Sequence, residues 1–135
     1  MESFIINHWA VWICAILNLV LGALWYSPAL FFNSWKKENG LTDEQLKNMK
    51  PMKVYGLAFI LGLIFSYNMA FYLGDDKTDM AWGTTAGLLT GLGFCFTLFT
   101  IIALFELRSW KYILINAGYI ILYSTLVGLI LGAWR

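Results

Sequence analysis

At 135 residues, with 60% hydrophobic and 13% charged side chains, the chain carries too little charge for a soluble domain, where about 25% is usual. A net charge of +1 gives no basic face for a nucleic-acid partner. The length allows one membrane domain, residues 1–135, and no separate soluble one.

Four apolar stretches, 4–26, 54–73, 81–107 and 112–134, are each about 20 residues or longer, enough to cross a hydrocarbon core of about 30 Å as a helix. The expected fold is therefore an all-α membrane bundle of four spans. The first stretch reads as retained rather than cleaved: Glu2 stands where a signal peptide is basic, and Trp25-Tyr26-Ser27-Pro28 offers no small-x-small site. Cys14, Asn18, Gly22 and Trp25 share one face of it. An unpaired amide as deep as Asn18 costs several kcal/mol in hydrocarbon, so Asn18 must point into the bundle or a partner subunit.

Pro28 closes the first span, and Phe31, Phe32 and Trp35 read as an interfacial aromatic patch. Gly40-Leu41-Thr42-Asp43-Glu44-Gln45 is a stop followed by a new start, with Thr42 and Gln45 spaced as a capping box. The spacing predicts a short interfacial helix over 43–49, ended before Pro51, with Leu41, Leu46 and Met49 laid on the membrane surface. In the second span Asn68 belongs to the outer half, with His8 and Tyr72.

On the third span Gly83, Gly87 and Gly91 recur every four residues, as Gly128 and Gly132 do on the fourth. Small residues at that period let helix backbones approach closely, within one subunit or between two. Thr90, Gly93, Thr97 and Thr100 form a stripe that either bonds back to its own helix or walls a cavity. Glu106, at the unfavourable end of the helix dipole, calls for compensation from Arg108, Asn116 or Tyr26. The fourth span is two-sided: Gly118, Thr125, Gly128 and Gly132 near one face, and Tyr112, Asn116, Tyr119 and Tyr123 on another.

Basic residues orient the bundle. Lys36, Lys37, Lys47, Lys50, Lys53, Arg108 and Lys111 fall on one side, and Lys77 and Arg135 on the other, seven against two. The positive-inside rule then makes both basic loops cytoplasmic and puts both termini outside. The inner half holds the densest polar set. Asn18, Trp25, Tyr26, Ser27, Glu106, Asn116, Tyr119 and Tyr123 are the candidate polar cavity; Gly83, Gly87, Gly91, Gly128 and Gly132 are the candidate helix contacts.

Cys14 and Cys95 lie in apolar segments and read as free thiols packing as small hydrophobes. His8 stands alone, without metal-ligand spacing. No paired carboxylates, Ser/His/Asp set or nucleotide loop appears, so neither an enzyme nor a cofactor is expected.

Leu21-Gly22-Ala23-Leu24-Trp25-Tyr26-Ser27-Pro28, then Trp35 and Gly40-Leu41-Thr42, then Leu114-Ile115-Asn116-Ala117-Gly118-Tyr119 and Leu131-Gly132-Ala133-Trp134, resemble the numbered domain-of-unknown-function family 1761 over nearly the whole chain. The resemblance implies a small bacterial four-helix protein of the inner membrane and brings no catalytic or binding residues. The family's usual phenylalanine-glycine step appears here as Phe31-Phe32-Asn33. Two functions fit: an oligomeric channel or transporter for a small solute or ion, or an accessory membrane subunit that binds lipid or a protein partner. Thin four-span bundles commonly need copies of themselves, so a homo-oligomer is expected.

Overall fold

The computed structural model describes residues 4–135, which puts Glu2 outside the described residues. Four helical spans, His8–Trp25, Pro51–Tyr72, Met80–Phe105 and Trp110–Ala133, are long and apolar enough to cross a membrane. At 1.5 Å per residue, 18 to 26 residues reach roughly 27 to 39 Å. The elements in order are α1 His8–Trp25, α2 Phe32–Asn39, α3 Asp43–Lys47, α4 Pro51–Tyr72, α5 Met80–Leu89, a π-helical turn Thr90–Cys95, α6 Phe96–Phe105 and α7 Trp110–Ala133.

Each boundary has a local cause. The first span starts at His8 rather than residue 4, because the Asn7 side chain accepts from the Trp9 and Ala10 amides at 3.1 and 3.3 Å. Ile5 N–H donates to the Gly74 carbonyl at 2.8 Å, which ties the preceding residues to the turn after α4. The stretch around Phe32 and Trp35, expected as an interfacial aromatic patch, is a helix. Gly40, at φ 67°, closes it: the Gly40 and Leu41 amides reach back to Lys37 and Lys36 carbonyls. The capping box of Thr42 and Gln45 forms, and α3 ends at Lys47, two residues short of the expected end. Pro51 opens the second span instead of merely preceding it, since proline suits the first helical position.

Asp79 caps the third span by accepting from the Trp82 amide at 2.8 Å. Its middle carries the π-helical turn, which the apolar pattern gives no sign of. The span ends at Phe105, where Leu107 adopts a φ of 58° and the Arg108 amide donates to the Ala103 carbonyl at 2.9 Å.

α7 is the axis of the bundle. It packs along the third span on one side and α1 on the other, and α4 packs chiefly on α1. Of its most apolar stretch 39% is buried, against 17–28% for the other three spans. The large side chains left outside, such as Ile13, Val20, Leu61, Leu98, Ile102 and Leu114, form the surface that a bilayer would cover.

Between α5 and α7 the backbones touch. A Cβ on Gly83 would lie 2.9 Å from the Gly132 Cα, one on Gly87 3.0 Å from the Thr125 Cα, and one on Gly128 2.9 Å from the Gly87 Cα. The glycine ladder thus packs within one chain. Ser124, fully buried, donates to the Gly87 carbonyl at 2.7 Å across the contact. Gly118 does not join this face: it lies beneath the Trp25 indole, on the α1 side.

Candidate functional site

The tyrosine face of α7 meets α1 as a ladder running in opposite directions along the two helices. Residues at 115–116, 119 and 123 climb α7 while 25–26, 18 and 14 descend α1. At the first rung Trp25 Nε1–H donates to the Ile115 carbonyl at 2.8 Å, and the Tyr26 hydroxyl donates to Asn116 Oδ1 at 2.5 Å. Asn116 spends its own amide on the Tyr112 carbonyl at 3.1 Å. At the second rung the Tyr119 hydroxyl lies between the Asn18 carbonyl, 3.0 Å away, and Asn18 Oδ1. At the third the Tyr123 hydroxyl donates to the Cys14 carbonyl at 2.8 Å.

Asn18 also donates to the Ala58 carbonyl of α4 at 2.8 Å, so one amide joins three helices. Gly62 makes this possible: a Cβ there would lie 3.1 Å from Asn18 Nδ2 and 3.4 Å from the Ala15 Cα. Burial cost marks Asn18 in the sequence but not Gly62, although a lone glycine inside a helix signals close approach. Interhelical bonds in bilayers average about 0.6 kcal/mol. A double-mutant cycle of Asn18→Ala and Tyr119→Phe should therefore return a coupling of about 0.5–1.5 kcal/mol in thermal or denaturant unfolding. Strict additivity would remove this rung.

Glu106 stands apart from the other candidates. Its side chain is 56% exposed and lies 3.6 Å from Arg108 Nε. Arg108 also donates to Asn39 Oδ1 at 3.1 Å and covers the Tyr112 ring at 4.9 Å. Ser109 Oγ–H donates to Glu38 at 2.6 Å. This cluster latches α2 to the α6–α7 turn. Tyr112 accordingly turns to Arg108 and to Phe99, with ring centroids 6.2 Å apart, rather than to α1.

The threonine stripe is divided. Thr90 and Thr97 donate back to the carbonyls of Ala86 and Gly93, while buried Thr100 Oγ1 has no hydrogen-bond partner among the described residues. Asn68 also bonds back, to Ile64, and it is exposed near the C-terminal end of α4.

At that opposite end Arg135 donates to the Leu73 carbonyl at 2.5 Å and to the Asp75 carbonyl, closing the C-terminus of α4. A charge count weighs Arg135 only as a cation and does not reveal this role, because it cannot see a carbonyl. Partial desolvation works against ionisation of Asp75. The Thr78 hydroxyl, the Lys77 and Thr78 amides and the Arg135 charge outweigh it and hold the carboxyl below its ordinary range.

A lateral pocket of about 610 Å³ opens between α1 and α4 at the lysine-bearing end. Of the expected cavity residues it gathers Asn18, Tyr26, Ser27 and Tyr119; Trp25, Glu106, Asn116 and Tyr123 do not line it. Asn116 and Tyr123 belong to the interhelical seam instead. Among the described residues no three His, Cys, Asp or Glu side chains converge, and Cys14 and Cys95 are free thiols.

The family described as Protein of unknown function (DUF1761) matches residues 9–132. No curated protein and no solved structure matches the chain.

Proposed function

We propose, on the premise that this chain belongs to the DUF1761 family, that it is a non-catalytic multi-pass protein whose working surface is its lysine-bearing end, where it binds lipid or a protein partner. The supporting observation is that the seam spends its polar groups internally. Tyr26, Asn116, Tyr119, Asn18 and Tyr123 are all hydrogen-bonded within the chain. A conducting path needs polar groups free to replace a solute's hydration, and a proton carrier needs an acid deep in the span. Glu106, exposed and paired with Arg108, is neither deep nor free. Among the described residues His8 meets only the Tyr67 hydroxyl, at 2.8 Å, and no Ser, Thr or Cys side chain is hydrogen-bonded to it.

The seven-to-two bias of Lys and Arg favours a cytoplasmic lysine-bearing end, in a bacterial plasma membrane. Self-association is proposed at the other end. There Asn68 is exposed beside Thr90 and Phe94 in a groove of about 220 Å³, next to the π-helical turn. This groove also carries the second reading, in which copies packed there enclose a path for a small solute or ion.

Reconstituted liposomes separate the two readings. We expect silence across a panel of simple ions and small neutral solutes, and Asn116→Ala to lower thermal stability. Flux that Asn116→Ala abolishes, with assembly intact, would establish transport and overturn the first reading.

A further inference from the structure

We infer that the lateral pocket between α1 and α4 binds one anionic phospholipid, with an acyl chain between the two spans, an ester group at Ser27 and the phosphate among the lysines of the adjoining loop. This rests on the lysine-bearing end being a lipid-binding surface and names the site and the ligand chemistry.

The pocket's size comes first. About 610 Å³ lies within the range of about 300–1,000 Å³ typical of small-molecule sites. Leu19 and Ala23 of α1 face Val54 and Ala58 of α4, and Phe32 and Trp35 of α2 close the end. These walls suit a hydrocarbon chain. The flank is open, since Val54, Tyr55 and Met49 are exposed, so the chain can enter sideways from the bilayer. Asn18 and Tyr119 at the back answer each other and make no demand on a ligand.

Ser27 does make a demand. Ser27 lines the pocket, and its buried Oγ has no hydrogen-bond partner among the described residues, so a turn about its Cα–Cβ bond breaks no bond and can present the hydroxyl to the pocket. A buried hydroxyl without a partner pays for its lost hydration with no return. It lies two residues past Trp25, the last residue of α1, where a lipid with its acyl chain against α1 would carry its ester carbonyls. An ester carbonyl accepts a hydrogen bond and a methylene chain does not, so Ser27 selects for an esterified lipid.

The headgroup's sign follows from the rim. Lys47, Lys50 and Lys53 are the chain neighbours of the pocket residues Leu46, Met49 and Val54; all three are exposed, and none forms an ion pair among the described residues. Moving out from the spans, the order is apolar wall, lone hydroxyl donor, cationic cluster. An anionic phospholipid presents acyl chain, ester and phosphate in the same order.

The test is native mass spectrometry of the full chain, purified without added lipid and then exposed to equimolar phosphatidylglycerol and phosphatidylcholine in detergent. One phosphatidylglycerol should be retained per chain under activation that strips phosphatidylcholine. Lys50→Ala and Lys53→Ala should each cut the preference for phosphatidylglycerol by about fivefold, the worth of one basic residue near an anionic surface. Ser27→Ala should weaken retention of both lipids while keeping the preference. Ala23→Trp should abolish retention by filling the pocket; Ala23 is exposed, so the larger side chain meets open space. Equal retention of the two lipids by the unaltered chain, or phosphatidylglycerol retention unchanged in Ser27→Ala and Ala23→Trp, would overturn the site. Should the fold of Ala23→Trp fail, Ser27→Ala and the lysine variants decide the matter. Flux in liposomes alongside selective retention would sink the non-conducting reading and leave this site standing.

Discussion

Replacing Gly87 by leucine is expected to abolish the folded bundle. A Cβ at Gly87 would lie 3.0 Å from the Thr125 Cα and closer still to the Ser124 carbonyl oxygen. These obstacles are backbone atoms of α7, which cannot swing aside as a side chain would. Overpacking a tight site costs about 1–3 kcal/mol when side chains can adjust, and more when two helices must part. Here α7 is the axis on which the third span and α1 both pack, so separation of α5 from α7 also breaks the Ser124 bond to Gly87. Bilayer helices gain little from hydrophobic burial against one another, and close packing is most of what holds them. We expect Gly87→Leu and Gly128→Leu to lose the monodisperse peak in detergent, and Gly87→Ala to lose about 2 kcal/mol or more in unfolding. Gly56→Leu is the control, because a Cβ there meets nothing within 4 Å. A Gly87→Leu protein as well behaved as Gly56→Leu would remove the close contact.

Trp25→Ala should be the most damaging substitution at the C-terminal end of α1. The indole covers Gly118, where a Cβ would lie 2.7 Å from the ring; it packs tilted against Phe31 at 4.7 Å between centroids and donates to the Ile115 carbonyl. Truncation removes the ring contacts and leaves a carbonyl without its donor, at a cost of about 2–4 kcal/mol. Trp25→Phe keeps most of the packing and should cost about 1 kcal/mol, the hydrogen bond alone. Phe31 loses its partner in the alanine variant, so the chain between α1 and α2 should become a preferred site of limited proteolysis. Gly118→Ala should resemble Trp25→Ala, since an added methyl displaces the same ring. Stability within a few tenths of a kcal/mol for Trp25→Ala would show that the ring does not hold α1 to α7.

These effects differ in how far the chain announces them. Span number follows from apolar length alone, and the capping box from two residues three apart, so both are legible without a structure. The close glycine contact is legible as a spacing, but its partner is not: Gly128 and Gly132 fit an intersubunit seam as well as the intrachain one observed. Helix α2 was missed because Phe32 and Trp35 suggest an interface as readily as a helix, although the Gly40 stop implied a helix before it. The π-helical turn leaves no periodic trace. Among the polar groups, the cost of a bare amide predicts that Asn18 turns inward, and it joins α1, α4 and α7. The same cost does not predict which carbonyl receives it, so Ala58 and the enabling Gly62 were invisible. Glu106 was drawn into the candidate cavity by its position along the chain; its place around the helix, beside Arg108, takes it out. Ser27 was named with its neighbours, yet only the three-dimensional arrangement reveals that its hydroxyl lacks an acceptor.

Thiol accessibility tests most directly whether the polar groups of the spans form a dry seam. In a Cys14→Ala, Cys95→Ala background, single cysteines replace Ser66, Asn116 and Ser124, with Lys50 and Asp76 as exposed references. The protein is reconstituted in liposomes, and a small membrane-impermeant methanethiosulfonate is applied to both faces. Ser66, whose hydroxyl lies 3.5 Å from that of Tyr123, and Ser124 are no more than 1% exposed, and half-buried Asn116 is hydrogen-bonded to the Tyr26 hydroxyl and the Tyr112 carbonyl. Labelling of the two references, with the Ser66 and Ser124 positions untouched and the Asn116 position far slower than the references, is the predicted result. Modification at Asn116→Cys or Ser66→Cys at a rate near that of the references would mean that water reaches the seam, and would contradict a bundle that satisfies its polar groups from within.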